Sequence, residues 1–153
     1  MQVRQATLKD IPDLLWIRKE ATDNALRTSL NRKMLERSLK NHCRGWVVEF
    51  GGMLVGFSLA NKKNHTIWGL FVLDAFQGRG FGELLLKEAE KWLFSEPCGF
   101  LGLKTCNVIS LKTKKGCPAE EFYRYMGWHR GEEDPEGEIT YWLSREDFFP
   151  HTS

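Results

Sequence analysis

Residues 66–94, TIWGLFVLDAFQGRGFGELLLKEAEKWLF, constrain the fold most. They join an apolar run to a helical pattern through three glycines at alternate positions, Gly78, Gly80 and Gly82. The run 66–73 is apolar at consecutive positions, so it reads as a strand covered on both faces in the middle of a sheet. After the glycines, Phe81, Leu84, Leu85, Ala89, Trp92 and Leu93 recur at helical spacing. Glu83, Lys87, Glu90 and Lys91 are expected on the opposite, solvent-facing side. Pro97 is expected to end the helix. In a strand–loop–helix of this kind the first-turn N–H groups point out of the helix, and the dipole favours an anion there. Glycines let phosphate oxygens reach those groups without an intervening Cβ. The competing reading is a tight turn with no ligand, because glycine is also the ordinary turn residue.

The rest of the chain orders itself around this unit. QVRQAT alternates as a first strand, and Thr7 with Asp10 forms a capping-box-like helix start. Ile11, Leu14, Leu15 and Ala21 follow at helical spacing. A second helix is expected from about Asn31 to Asn41, with Leu35, Leu39 and His42 on one face. GWVVEF and MLVGFSLA read as strands joined by Gly51-Gly52, a hairpin signal. FLGLKTC is a further strand, NVISLKTKKGCP shows no periodicity, and AEEFYRYMGW is a short helix closed by Gly127. GEEDPEGE is a charged turn before a final strand, EITYWLSREDF. The order argues for a mixed α/β (α+β) fold with one central sheet.

With 153 residues, 1–153 is expected to form a single domain. A net charge of +2 is too mild to argue for nucleic acid, and no apolar stretch approaches a membrane span. The charged first twenty residues argue against a signal peptide. Cys43, Cys98, Cys106 and Cys117 form no CxxC pair, and the histidines show no ligand spacing, so no metal is expected. Free thiols in a reducing compartment are the simpler reading, with cytoplasm as the expected location.

Two known phosphate cradles fail. A G-x-G-x-x-G fingerprint begun at Gly78 needs glycine where Glu83 stands, and no Gly-Lys-Ser/Thr follows for a Walker loop. Gln77-Gly78-Arg79-Gly80-Phe81-Gly82 instead resembles the acyl-CoA loop of the GNAT family of N-acetyltransferases, Gln/Arg-x-x-Gly-x-Gly/Ala after a strand. Gly80 and Gly82 match the pattern, and Gly78 is additional. The family's later helix, Ala-x-x-Phe/Leu-Tyr-x-x-x-Gly-Phe, is similar to 119–128, with Trp128 for the last phenylalanine. The opening VRQATLKDIPDLLWI and the order of elements also agree.

The resemblance implies a mixed, mostly antiparallel, twisted sheet of six to seven strands flanked by about four helices. It implies transfer of an acetyl or longer acyl group from coenzyme A to a small-molecule or peptide amine. The pyrophosphate is expected on backbone N–H groups of Arg79, Gly80, Gly82 and Glu83, with Gln77 and Gly78 in the same loop. The pantetheine arm is expected to pair with the backbone of Phe71 and Val72. An N–H near Val72 would polarise the thioester carbonyl. Tyr123 matches the tyrosine that protonates the departing thiolate; a satisfied core tyrosine is the alternative. Asp74 replaces a loop proline. Thr66 stands where some members carry a glutamate base, leaving His65, a water chain or an acid such as Glu49. Gly116 replaces the family asparagine. Asn107 stands where the strand reaches that contact, with 108–118 read as an insertion whose lysines meet a coenzyme A phosphate or simply solvent.

The acceptor is expected near 21–31 and the acidic 131–138, whose carboxylates either steer a cationic amine or form a solvated tip. Trp46, Trp68 and Trp142 line a pocket or belong to the core. A homodimer is implied by resemblance only. The competing functions are a non-catalytic acyl-CoA-binding module and a nucleotide-binding domain.

Overall fold

The computed structural model describes residues 2–21, 31–95 and 106–149. Among them the order is β1 (Gln2–Gln5), α1 (Ile11–Glu20), α2 (Arg32–Lys40), β2 (Cys43–Phe50), β3 (Met53–Asn61), β4 (Thr66–Val72) and α3 (Phe81–Leu93). There follow β5 (Val108–Lys114), α4 (Pro118–Tyr125), β6 (His129–Glu133), β7 (Glu138–Ser144) and α5 (Arg145–Phe148). The strands form one sheet in the order β1-β2-β3-β4-β5-β7-β6, so the strand before the glycine loop is its middle member. Among the described residues only the β4–β5 pair is parallel. The expected mixed, mostly antiparallel sheet is therefore what forms.

Local chemistry explains the element ends. The Thr7 N–H donates to Asp10 Oδ2 at 2.7 Å, and Arg4 grips both oxygens of the same carboxyl at 2.9 Å. This ties β1 to the entry of α1. Asn31 caps α2 by accepting from the Met34 N–H at 2.9 Å. Gly51 and Gly52 sit at φ 62 and 83, the pair of positive values a two-residue hairpin turn demands. The layers are marked by two contacts. The Arg18 guanidinium of α1 lies 5.2 Å over the Phe71 ring on one sheet face. On the other, Ser58 donates to the Leu85 carbonyl of α3 at 3.1 Å. Val47, Val55, Phe57 and Phe71 are fully buried between these layers. Among the described residues no helix is long and apolar enough to cross a membrane.

Four expectations need correcting. The stretch 108–118 is no insertion: it is strand β5 and the start of α4, with Ile109, Leu111 and Thr113 buried and Val108, Lys112 and Lys114 exposed. The third inward side chain is a threonine, so the apolar alternation is too short to show. Glu90, expected in solvent, is buried and accepts from the Trp128 indole N–H at 2.9 Å. His42 lies beyond the end of α2 and is exposed. The charged turn is shorter than expected, because His129–Glu133 is strand β6, and the final strand ends at Ser144, which caps α5 through the Asp147 N–H. The expected strand 100–106, except Cys106, and the helix stop at Pro97 lie outside the described residues.

Candidate functional site

The site begins with a fault in the sheet. Ala60 pairs with Ile67 and Leu59 with Gly69, which leaves Trp68 as an extra residue on β4. Such a bulge bends its strand and interrupts pairing. The β4–β5 ladder accordingly has one registered pair, Thr66 with Ser110, although the strands continue to Val72 and Lys114. Past the bulge they part.

Which backbone faces the gap follows from alternation. The Leu73 N–H donates to the Val55 carbonyl at 2.9 Å, so this antiparallel pair is a hydrogen-bonded one. Every second pair is of the same kind, which turns Phe71 toward Phe57 on β3. The peptide groups of Leu70 and Val72 then face the opening. Phe71 does not: its ring is fully buried under α1. The strand-like edge expected at Phe71 and Val72 is formed by Leu70 and Val72.

A cavity of about 410 Å³ fills the angle between β4, the glycine loop and α4. Leu70 and Val72 line it from β4, and Gln77, Gly78, Gly80, Gly82 and Glu83 from the loop. Ala119, Phe122 and Tyr123 line it from α4. Gly78 and Gly80 have φ 77 and 87, and a Cβ on either would meet nothing within 4 Å. Glycine is required there for conformation. Gly82 has an ordinary helical backbone; its Cβ would stand 3.4 Å from Phe122 Cζ, where α3 approaches α4. Gly78, additional to the family pattern, is thus as conformationally demanding as Gly80. Gln77 Nε2 donates to the Val72 carbonyl and to Asp74 Oδ1, both at 3.3 Å, tying the loop to the end of β4. Arg79 lies outside the lining. Its guanidinium stacks over Phe50 at 5.7 Å and Phe76 at 5.3 Å, so the β2–β3 hairpin braces the loop.

Helix α4 sets Tyr123 against this cavity. Pro118 occupies the first helical turn, and Gly127 at φ 90 closes the end, with the Trp128 N–H on the Tyr123 carbonyl at 3.0 Å. Tyr123 is 2% exposed, and its ring packs on Phe122, Trp128 and Tyr141 at 5.5, 6.2 and 5.8 Å.

Other expected residues stand elsewhere. His65, at φ 58, precedes β4 and gives its carbonyl to the Ser110 N–H. Five steps along the strand, at most about 16 Å at ~3.3 Å each, separate it from Leu70. Asn107 precedes β5 at that same far end, its carbonyl accepting from the Arg145 N–H. Glu49 lies 3.4 Å from Arg4 at the β1 edge. Lys112 pairs with Asp134 and Lys115 with Glu133, so these lysines serve the β6–β7 hairpin. Asp134 also accepts from the N–H groups of Glu136 and Glu138 at 2.9 Å, which makes the acidic stretch a hydrogen-bonded turn. Trp46 is core, packed edge-on to Trp92. Trp68 lines a second cavity of about 240 Å³ with Thr66, Ser110, Lys112, Thr140 and Glu138, on the sheet face away from α4. Trp142 is 37% exposed and stacks on His129 at 4.3 Å. Most of the expected acceptor segment 21–31 lies outside the described residues.

Sequence reasoning missed two buried carboxylates, Glu90 and Glu120. Burial pushes the Glu90 carboxyl up, and the Trp128 bond only partly offsets it. Burial acts the same way on Glu120. There the Gly116 N–H, the Tyr141 hydroxyl and Arg130 outweigh it and hold the carboxyl down at about 2. No local signal marks either residue, because the partners lie 4 to 38 residues away.

A splayed parallel pair, a glycine loop at a helix start and a tyrosine on the facing helix thus meet at one cavity. The sequence matches the acetyltransferase (GNAT) family over residues 10–128, and the chain belongs to that family. No curated protein matches it. Among solved structures, ribosomal-protein-alanine N-acetyltransferase from Brucella melitensis is similar at TM-score 0.71 and 19% identity, over 94% of this chain and 99% of that one. The spermidine N-acetyltransferase SpeG chimera from Vibrio cholerae and hSSAT aligns at 0.71 and 18%, over 98% of both chains. The paia N-acetyltransferase from Thermoplasma acidophilum, solved in complex with coenzyme A, aligns at 0.70 and 15%, over 94% and 99%.

Proposed function

We propose that the protein moves an acetyl group from acetyl-CoA to a primary amine by direct attack, with Tyr123 as the proton donor to the leaving thiolate. One observation carries this reading: a single cavity joins the glycine loop, the open edge of β4 and Tyr123. The solved structure with coenzyme A bound supports the donor. The first-turn N–H groups of α3 and the loop around Gly80 receive the pyrophosphate. The pantetheine arm lies along the edge formed by Leu70 and Val72, and an N–H of that edge polarises the thioester carbonyl. The amine nitrogen bonds to the carbonyl carbon and the carbon–sulfur bond breaks. Tyr123 gives its proton to the sulfur. The nitrogen's proton passes to water at the open mouth of the site. The acceptor comes from the other sheet face, where the cavity at Trp68 and Glu138 opens beside the point of divergence.

Tyr123→Phe is the test. Turnover should fall by about a hundred-fold or more, the usual scale of a lost general acid, while coenzyme A affinity measured by calorimetry stays near the parent's. Unchanged turnover would exclude the proton-donor role. The acceptor is found by screening small amines, polyamines and peptides with acetyl-CoA and reading thiol release. Binding of acetyl-CoA without turnover on any of them would identify a non-catalytic module.

A further inference from the structure

Glu120 stands one turn before Tyr123 on α4 and takes no part in the chemistry above. The residue is 6% exposed, and its carboxylate accepts from three separate segments. Oε1 takes the Tyr141 hydroxyl of β7 at 2.7 Å and Arg130 Nε of β6 at 3.0 Å. Oε2 takes the Gly116 N–H, in the turn that leads into α4, at 2.7 Å. Tyr141 is itself fully buried, and its ring lies 5.8 Å from that of Tyr123.

Packing alone does not require a carboxylate here. A buried charge is costly unless it is fully bonded, and an apolar side chain of similar size fills such a space at least as well. A fully bonded carboxylate adds direction, because each bond fixes an angle as well as a distance. Helix α4 needs that help. It has eight residues, too few to hold its own geometry. A proton donor displaced by about 1 Å loses much of its effect.

We propose that Glu120 is a positioning residue for Tyr123. Through Tyr141, Arg130 and the Gly116 N–H it pins the first turn of α4 to β6 and β7, and so fixes where the Tyr123 hydroxyl stands in the cavity. The proposal rests on Tyr123 being the proton donor.

The test measures thiol release from acetyl-CoA, with the panel amine that reacts fastest, in Glu120→Gln, Tyr141→Phe, Tyr123→Phe and the Glu120→Gln/Tyr123→Phe pair. Circular dichroism checks folding, and calorimetry gives coenzyme A affinity. Glu120→Gln is expected to lower kcat about ten-fold, with KM for acetyl-CoA and coenzyme A affinity changed less than about two-fold. Tyr141→Phe should lower kcat in the same sense by less. The double variant should be no slower than Tyr123→Phe alone, since residues acting through one group are not additive. An unchanged kcat in folded Glu120→Gln, or losses that multiply in the pair, overturns the proposal. If Glu120→Gln does not fold, the cycle of Tyr141→Phe with Tyr123→Phe decides by the same criteria. An impaired Tyr123→Phe beside an unimpaired Glu120→Gln overturns this proposal alone. An unimpaired Tyr123→Phe overturns the proton-donor reading with it.

Discussion

At the scale of single residues, the loop glycines do two kinds of work, with Gly78 and Gly80 supplying left-handed backbone and Gly82 a close approach to Phe122. Gly80 is the residue from which α3 starts, in a left-handed conformation that costs an L-residue roughly 1–2 kcal/mol. A side chain there also projects into space left open beside the cavity. Gly80→Val is therefore expected to lower coenzyme A affinity by about ten-fold or more. Its melting temperature should fall by only about 2–8 °C, the equivalent of that strain in a chain of this length. Gly82→Ala is the contrast, with helical backbone and an ordinary contact to Phe122. Its melting temperature should stay within about 2 °C of the parent's. Calorimetry and thermal melts check both, and unaltered binding by Gly80→Val would mean that the loop is only a turn.

At the scale of elements, the chain through α4 to Trp128 is tied down by two buried carboxylates with opposite titration behaviour. Glu90 on α3 has its carboxyl raised by burial. Between the unfolded value of about 4.3 and the raised native one, the folded state keeps a proton that the unfolded chain has released. Stability through Glu90 therefore falls as pH rises through that window. Glu90→Gln keeps an oxygen for the Trp128 N–H and should be more stable than the parent at pH 7, with the difference vanishing near pH 4. Urea melts at the two pH values would decide, and a less stable variant at pH 7 would count against this account. Glu120 works in the other sense. Its carboxyl is held at about 2, so its contribution is present above about pH 4.3 and is lost as pH falls toward 2. In Glu120→Gln the acid limb of the stability curve should flatten between those values, which acid titration of the folded signal would show.

The elements also differ in how plainly the sequence announces them. The hairpin at Gly51-Gly52 and the Gly127 stop depend on neighbours within a few residues, and each forms as expected; the second helix, expected from about Asn31, starts there because the Asn31 side chain caps it. Strand β5 is different. Its inward set ends in Thr113, and its outward set is mostly polar, so hydrophobicity hides a strand that register with β7 makes plain. Strand β6 is charged and sits at the sheet edge, where only pairing with β7 identifies it.

At the scale of the whole molecule, the decisive feature is the parting of β4 and β5. A ligand that occupies that gap and the glycine loop binds only the folded state. Coenzyme A at about 100 times its dissociation constant should then stabilise the fold by about 2.7 kcal/mol, a rise in melting temperature of about 5–10 °C. A thermal shift assay reads this directly, and no shift at millimolar coenzyme A would argue against the cavity as the donor site.

The sequence by itself determined the strand–glycine–helix unit, the tyrosine helix and the family they mark, because each is written in residues close together along the chain. It also determined that the unit's strand lies mid-sheet, since only a strand covered on both faces is apolar throughout. Tertiary structure decided the rest. It turned Leu70 and Val72 toward the opening and Phe71 away, which depends on one extra residue at Trp68 and the register with β3. It carried His65 and Asn107 to the far end of the strands, and it gave Glu90 and Glu120 partners from distant segments. Pairing register and long-range contacts bring together residues that no local pattern links, and the geometry around the cavity is made of such contacts.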